Sequence, residues 1–444
     1  MGAKHKRYFY MILVYTHKIT PRFSYIFKHI FVRILNVPVS FTTKVEEFVA
    51  YNGMKMNYSK QALGKEFFVK ANNLLFEQGI NDVEIAVSSW GTAIPCFFNA
   101  GVKSAIPFDI FAASFYLISR YEEYLPHVRD EHECFPVEES LAYQHDFLKK
   151  PLVDIWAYKF FEVLKERFPN QETETRSYQF ISSFDVNQAF IYRSRGVIRT
   201  LTGFIVDFFT LRLSAFFERI WVLLKIKKDP YDTYDEIVRI NKKYSIRTFV
   251  FFLISNATTY DNNISITKNR FFLLIKSMSD YVKVGLNASY GTMKDEVLLK
   301  KELQKLASII NTPVSKSRQH MLRNYLPQTY QNLIDMEVEE DHSMGYPNAI
   351  GFRASTCSQY YFYDLDFEIQ TPLKIVPFAV SDTVLNEVLQ LSPKKALQQV
   401  TQICRQVRSV NGTFSVLFHN EVLSDYEQWK GWSTFYEKVV EVAK

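Results

Sequence analysis

Asp185, His320, Arg353 and His419 carry the side chains that acid–base hydrolysis requires, and each stands where an apolar run gives way to polar residues. They lie in Ser183-Phe184-Asp185-Val186-Asn187, Ser317-Arg318-Gln319-His320, Gly351-Phe352-Arg353-Ala354 and Leu417-Phe418-His419-Asn420-Glu421. A further segment of the same kind, Gly285-Leu286-Asn287-Ala288-Ser289-Tyr290, carries Asn287. Amide hydrolysis needs a water made nucleophilic by a metal or a base, a stabilised oxyanion, and an acid for the leaving nitrogen. Asp185 can supply the base, Arg353 its opposite charge and His419 the acid. Each segment alone has a plainer reading: Asp185-Val186-Asn187 as a strand-end turn, His419 as a satisfied structural histidine, Arg318 as the partner of a carboxylate such as Glu340 or Asp341. Their order and shared placement at strand ends argue for one mouth, because functional groups of a (β/α) barrel gather at the carboxyl ends of several strands.

The elements needed to hold these residues follow from hydrophobic patterning. Strands are expected over 180–186, 247–255, 281–289, 312–321, 373–380 and 413–419, with helices over 234–244, 294–310, 393–410 and 425–442. Such alternation implies parallel βα units, in a barrel or a doubly wound sheet. A polar, proline-marked stretch from Phe168 to Arg176 places a boundary between domains 1–175 and 176–444. Upstream, Met11–Tyr15 reads as a strand and as no signal peptide. Thr20 is then an N-cap, Pro21 the first helical residue, and Phe23, Ile26, Phe27, Ile30, Phe31 and Ile34 form one helical face. Residues 44–51 and 66–69 are candidate short strands, and 104–125 and 151–167 helices.

Composition narrows the function classes. Hydrophobic residues make up 47% of the 444 residues, and 14 Gly are too few for a Gly-rich phosphate-binding architecture. The net charge of +6 is small for this length, which argues against nucleic-acid binding. Four widely spaced cysteines include no CxxC pair, the pattern of reduced thiols in the cytoplasm. Between Arg199 and Lys228, Phe204, Phe208, Phe209, Phe216, Phe217, Trp221, Leu223 and Leu224 make a membrane-like run. Asp207, Arg212, Glu218 and Arg219 interrupt it too often for a span of about 20 apolar residues. It reads as an amphipathic helix lying on the barrel or on a bilayer surface.

From about residue 178 to 442 these segments resemble the polysaccharide deacetylases, metal-dependent hydrolases that remove acetyl groups from sugars. The upstream segments Pro107–Leu125 and Pro151–Trp156 resemble the N-terminal domain of one bacterial branch of that family. The resemblance implies an α/β fold: an irregular (β/α) barrel preceded by a smaller α/β domain. It implies Asp185 as general base, Arg353 as the residue that orients it, and His419 as the acid that protonates the leaving amine. It also implies metal positions at Asn187, Asn287 and His320. The family's first motif has a second Asp where this chain has Asn187, and its second motif a His where this chain has Asn287. Two neutral amides thus stand where a carboxylate and an imidazole are expected, and amides are poor ligands for first-row metals.

Two functions follow from the resemblance. One is a deacetylase-like hydrolase of sugar C–N bonds, with a divalent metal, zinc by preference, and an altered metal site. The other is a catalytically inactive relative, needing no metal and serving as a carbohydrate-binding or partner subunit. Either would take an acetylated oligosaccharide or polysaccharide, with no nucleic acid and no transmembrane segment.

Overall fold

The computed structural model describes residues 11–169 and 175–444. The basic residues 4–7, the start of the first apolar run at 8–10, and most of the expected boundary stretch lie outside the described residues. The chain forms two compact units. One comprises the residues up to Gln179 together with Gly351–Pro377 and Arg405–Thr413; the other comprises Phe180–Ile350, Phe378–Cys404 and Phe414–Lys444.

The first unit holds a four-stranded parallel sheet in the order Val39–Thr42, Ile12–Tyr15, Lys55–Ser59, Phe68–Lys70. Thr20 caps the helix Pro21–Lys28: its Oγ1 accepts from the Phe23 N–H, and Pro21 sits in the first turn, where a missing N–H costs nothing. The expected apolar face is buried throughout, and Phe27 stacks on Phe111 with centroids 3.8 Å apart. Phe111 belongs to the helix Ile110–Ile118, capped by Asp109, whose Oδ1 accepts from the Phe111 and Ala112 N–H groups. The candidate strand over residues 44–51 is instead the helix Val45–Ala50. Val45, Phe48 and Val49 are spaced i, i+3, i+4, a helical period, and only Phe48 is buried.

A single cut at 175/176 differs from this division because two later segments return to the first unit. Buried polar pairs account for the return of residues 351–377. Asp154 accepts from Thr356 Oγ1 at 2.7 Å, from the Cys357 N–H at 3.0 Å, and from Ser358 Oγ. Arg22, fully buried, pairs with Glu368 beside the antiparallel hairpin Tyr360–Asp364 and Ile369–Ile375.

In the second unit the strands run in the order Glu340–Asp341, Lys316–Gln319, Lys283–Ala288, Arg247–Leu253, Gln179–Val186, Thr413–His419, Val380–Ser381. The pairings for which register is defined are parallel. Near-continuous apolar runs such as Phe249–Leu253, buried throughout, are what a sheet covered on both faces requires. The helix Glu296–Ile310 is one such cover: Asp295 caps it, and Leu299, Leu303, Leu306 and Ile309 form its buried stripe. The expected parallel α/β architecture is therefore present, while the described pairings do not join Glu340–Asp341 to Val380–Ser381 to close a barrel. The single strand expected over 373–380 breaks into Ile369–Ile375 and Val380–Ser381, with Pro377, which has no N–H for a ladder, in the gap.

The run between Arg199 and Lys228 is two helices, Val197–Phe209 and Leu213–Leu223, rather than one. They pack on each other through Phe204 and Phe216, with centroids 5.2 Å apart, and through Arg219, whose Nη2 donates to Asp207 Oδ2 at 2.7 Å. Their apolar residues face mostly outward.

Candidate active site

Asp185 enters the second unit's interior near the end of the strand Gln179–Val186, and Arg318 meets it from the strand Lys316–Gln319. Arg318 Nη1 donates to Asp185 Oδ1 at 2.6 Å, Nη2 to Ser183 Oγ at 2.8 Å, and Nε to the His342 carbonyl at 2.9 Å. Both charged side chains are buried, and the guanidinium also lies 4.5 Å from the centroid of the Phe251 ring. Three strand spacings of about 4.8 Å separate the two strands along the sheet. That is farther than the two side chains span together, so the sheet curls around this pair. Glu340 and Asp341, the partners considered for Arg318 from sequence, are not its ligands; Asp341 accepts from the Ser343 N–H and Oγ instead.

Arg353 is placed differently from expectation. Its Nε and Nη2 donate to Glu123 Oε1 and Oε2 at 2.9 and 2.8 Å, and its carbonyl accepts from Arg120 Nη1, all within the first unit. A bidentate pair of this kind uses one edge of the guanidinium fork, with two parallel N–H groups in its plane. The counter-charge of Asp185 is Arg318, where Arg353 was expected, and Arg353 pairs with Glu123.

Of the three expected metal positions, two touch each other. Asn287 Nδ2 donates to Asn187 Oδ1 at 2.7 Å, and Asn287, wholly buried at the end of its strand, leaves its own Oδ1 without a hydrogen-bond partner. The third, His320, turns Nε2 to the Tyr260 carbonyl at 3.2 Å, with Asp261 Oδ1 at 3.9 Å. A ring nitrogen facing a carbonyl carries the proton and offers no lone pair there. Burial lowers the His320 pKa, against a smaller upward pull from Asp261, and favours the neutral ring. Zinc is held by thiolate, imidazole and carboxylate, and among the described residues no group of three His, Cys, Asp or Glu side chains is arranged to hold a metal ion. Two amides bonded to each other, with His320 turned to the Tyr260 carbonyl, do not fit the metal that the family resemblance implies.

His419 closes its strand, and Asp382 stands just past the neighbouring strand Val380–Ser381. Asp382 Oδ1 is 2.8 Å from His419 Nδ1, and Oδ2 accepts from the His419 N–H at 2.6 Å. Burial pulls the His419 pKa down, but Asp382, by charge and hydrogen bond, with Asp185 and Glu421 behind it, pushes it up to about 9. The imidazole is therefore a cation at neutral pH, fixed at Nδ1 and able to give a proton from Nε2. The arrangement can donate a proton at His419. Its second carboxylate, Asp185, is already committed to Arg318. Asp382 lies just past the expected strand 373–380 and was not singled out, and the partnership of Arg318 with Asp185 had no local signal.

A family model described as a family of unknown function, DUF7033, matches residues 12–169. No curated protein matches. Among solved structures, a protein from Mycobacterium smegmatis described as a polysaccharide deacetylase aligns at 12% identity, over 61% of this chain and 86% of that one, with a TM-score of 0.38. A CE4 family pseudoenzyme from Bacillus anthracis aligns at 12% identity, over 60% of this chain and 61% of that one, with a TM-score of 0.30. A 7,8-dihydropteroate synthase from Vibrio fischeri aligns at 9% identity, over 62% and 93%, with a TM-score of 0.29.

Proposed function

We propose that the chain is a deacetylase-like protein that has lost metal-dependent hydrolysis and acts as a carbohydrate-binding or partner subunit. The observation that carries this reading is the Asn287–Asn187 hydrogen bond at the two positions where the resemblance expects a carboxylate and an imidazole. Neutral amides cannot offset the charge of a divalent cation. Asp185, the remaining carboxylate of that motif, pairs with Arg318 at 2.6 Å and has an amide, Asn187, where its metal-binding neighbour is expected. The curled sheet and the polar strand ends support an irregular (β/α) barrel as the ancestral frame. An acetylated oligosaccharide or polysaccharide is the ligand that the resemblance suggests.

A second reading, residual hydrolysis, is favoured by one feature. The His419–Asp382 pair keeps a protonated imidazole of the kind a leaving amine would need. Metal content of the purified protein and deacetylation of N-acetylated oligosaccharides, measured with and without the double change Asn187→Asp and Asn287→His, separate the two. Our reading expects no stoichiometric metal and no turnover in the unmodified chain, and metal binding in the double variant. Stoichiometric zinc with turnover in the unmodified chain would overturn it.

A further inference from the structure

The helices Val197–Phe209 and Leu213–Leu223 are inside out. Buried positions are Asp207 in the first, and Ala215, Glu218 and Val222 in the second. The two buried carboxylates are neutralised locally, Asp207 by Arg219 at 2.7 Å and Glu218 by Lys227 at 2.7 Å. The outward face is apolar. Among the described residues, fourteen exposed large hydrophobic side chains fall between Val197 and Ile226, including Phe208 at 59%, Phe209 at 78%, Leu211 at 81% and Trp221 at 46% exposure. Isolated exposed apolar residues are ordinary; a contiguous set of this size marks a surface that is normally covered.

The charge around the hairpin says by what. Residues 193–228 hold eight Lys and Arg against two Asp and Glu, a net +6 that equals the formal charge of the whole chain. The excess is therefore concentrated here rather than dispersed. Lys225 is exposed just beyond the second helix and Arg199 half-exposed in the first, whereas Lys227, Lys228 and Arg212, also exposed, pair with Glu218, Asp235 and Glu427. Helices of 13 and 11 residues rise about 20 and 16 Å, short of the roughly 30 Å hydrocarbon core. No helix among the described residues is long and apolar enough to cross a membrane.

We propose that this hairpin is a monotopic membrane anchor: it lies in the interface of an anionic phospholipid bilayer, apolar face immersed, with Arg199 and Lys225 on the lipid phosphates. The hairpin follows the carboxyl end of the strand Gln179–Val186, the end that carries Asp185 and Asn187. Asp229 fixes the exit by accepting from the Ile191, Tyr192 and Arg193 N–H groups at 2.9 to 3.0 Å. The inference holds whether or not the site turns over.

The full chain would be floated with vesicles of phosphatidylcholine alone and of phosphatidylcholine with phosphatidylglycerol, while its tryptophan emission is recorded. Trp221 is the one exposed tryptophan of five, the others being at most 9% exposed, so a blue shift on adding vesicles reports this hairpin. Expected are flotation with the anionic vesicles, weaker flotation with the neutral ones, release by salt, and a Trp221 blue shift quenched by brominated lipid. Phe208→Ser with Phe209→Ser should lower partitioning at least about tenfold, and Arg199→Glu with Lys225→Glu should remove the preference for phosphatidylglycerol. No flotation and no emission shift with either vesicle would overturn the proposal. So would vesicle-free dimers that the Phe208 and Phe209 changes convert to monomers, which would give the face to a second copy of the chain.

Discussion

Arg318 is the counter-ion of Asp185: the two side chains meet at 2.6 Å in the interior of the second unit, across three strand spacings of a curled sheet. Removing one member of such a pair leaves the other charge buried and uncompensated. Arg318→Ala should destabilise the fold by about 3–5 kcal/mol, whereas Arg318→Met combined with Asp185→Leu should recover most of the loss. Urea unfolding of the four members of the cycle measures both. Equal destabilisation in the single and double variants would contradict the pairing.

Gly285 makes room beneath that pair. A Cβ there would approach the Phe251 ring at 2.6 Å and the Lys316 carbonyl at 2.9 Å, and Phe251 is the ring on which the Arg318 guanidinium rests. Gly285→Ala is expected to cost about 1–3 kcal/mol through overpacking. The same urea assay tests it, and a neutral result would show that the two strands separate freely at this point.

Arg353 belongs to Glu123, and the consequence is testable without any substrate. Arg353→Ala should destabilise the protein by about 2–4 kcal/mol, at the lower end because Arg120 still reaches Glu123 Oε1 at 2.7 Å. Arg353→Lys should not restore the bidentate geometry. In both variants the imidazole titration of His419, followed by NMR, should be unchanged; a shift would return Arg353 to the candidate site.

The His419–Asp382 pair sets a pH dependence of definite sign. The folded-state pKa of about 9 lies above the ordinary 6.5, so the pair's stabilisation is complete below pH 6.5 and is lost as pH rises through 9. Its upper bound is about 3 kcal/mol. Asp382→Asn should lower the His419 pKa by at least about one unit, because burial then meets less opposition, and should flatten that part of the stability profile. NMR titration and denaturation across this pH range check both statements.

Much of the second unit was readable from residue order alone. Apolar runs ending in Asp185, Asn287, His320 and His419 are strand ends or lie just past them, and the substitutions at 187 and 287 are visible without coordinates. Choosing between Arg318 and Arg353 was beyond reach, since nothing local to Ser315-Lys316-Ser317-Arg318 points to Asp185 and only the curl of the sheet brings the two together. Asp382 was missed because Pro377 splits its strand and hides the alternation. The stretch after Arg199 misleads for a different reason. Its helical period is genuine, but periodicity tells which residues share a face and not which way that face points; here the carboxylates at 207 and 218 turn inward.

The return of residues 351–377 and 405–413 to the first unit sets a timetable for synthesis. Asp154 and Glu123 are buried, and their partners at 353, 356, 357 and 358 leave the ribosome only after more than two hundred further residues have been made. A nascent chain arrested at residue 300 should therefore be cut by protease within its first 170 residues, and a full-length chain should not. The first segment to be translated is among the last to be finished.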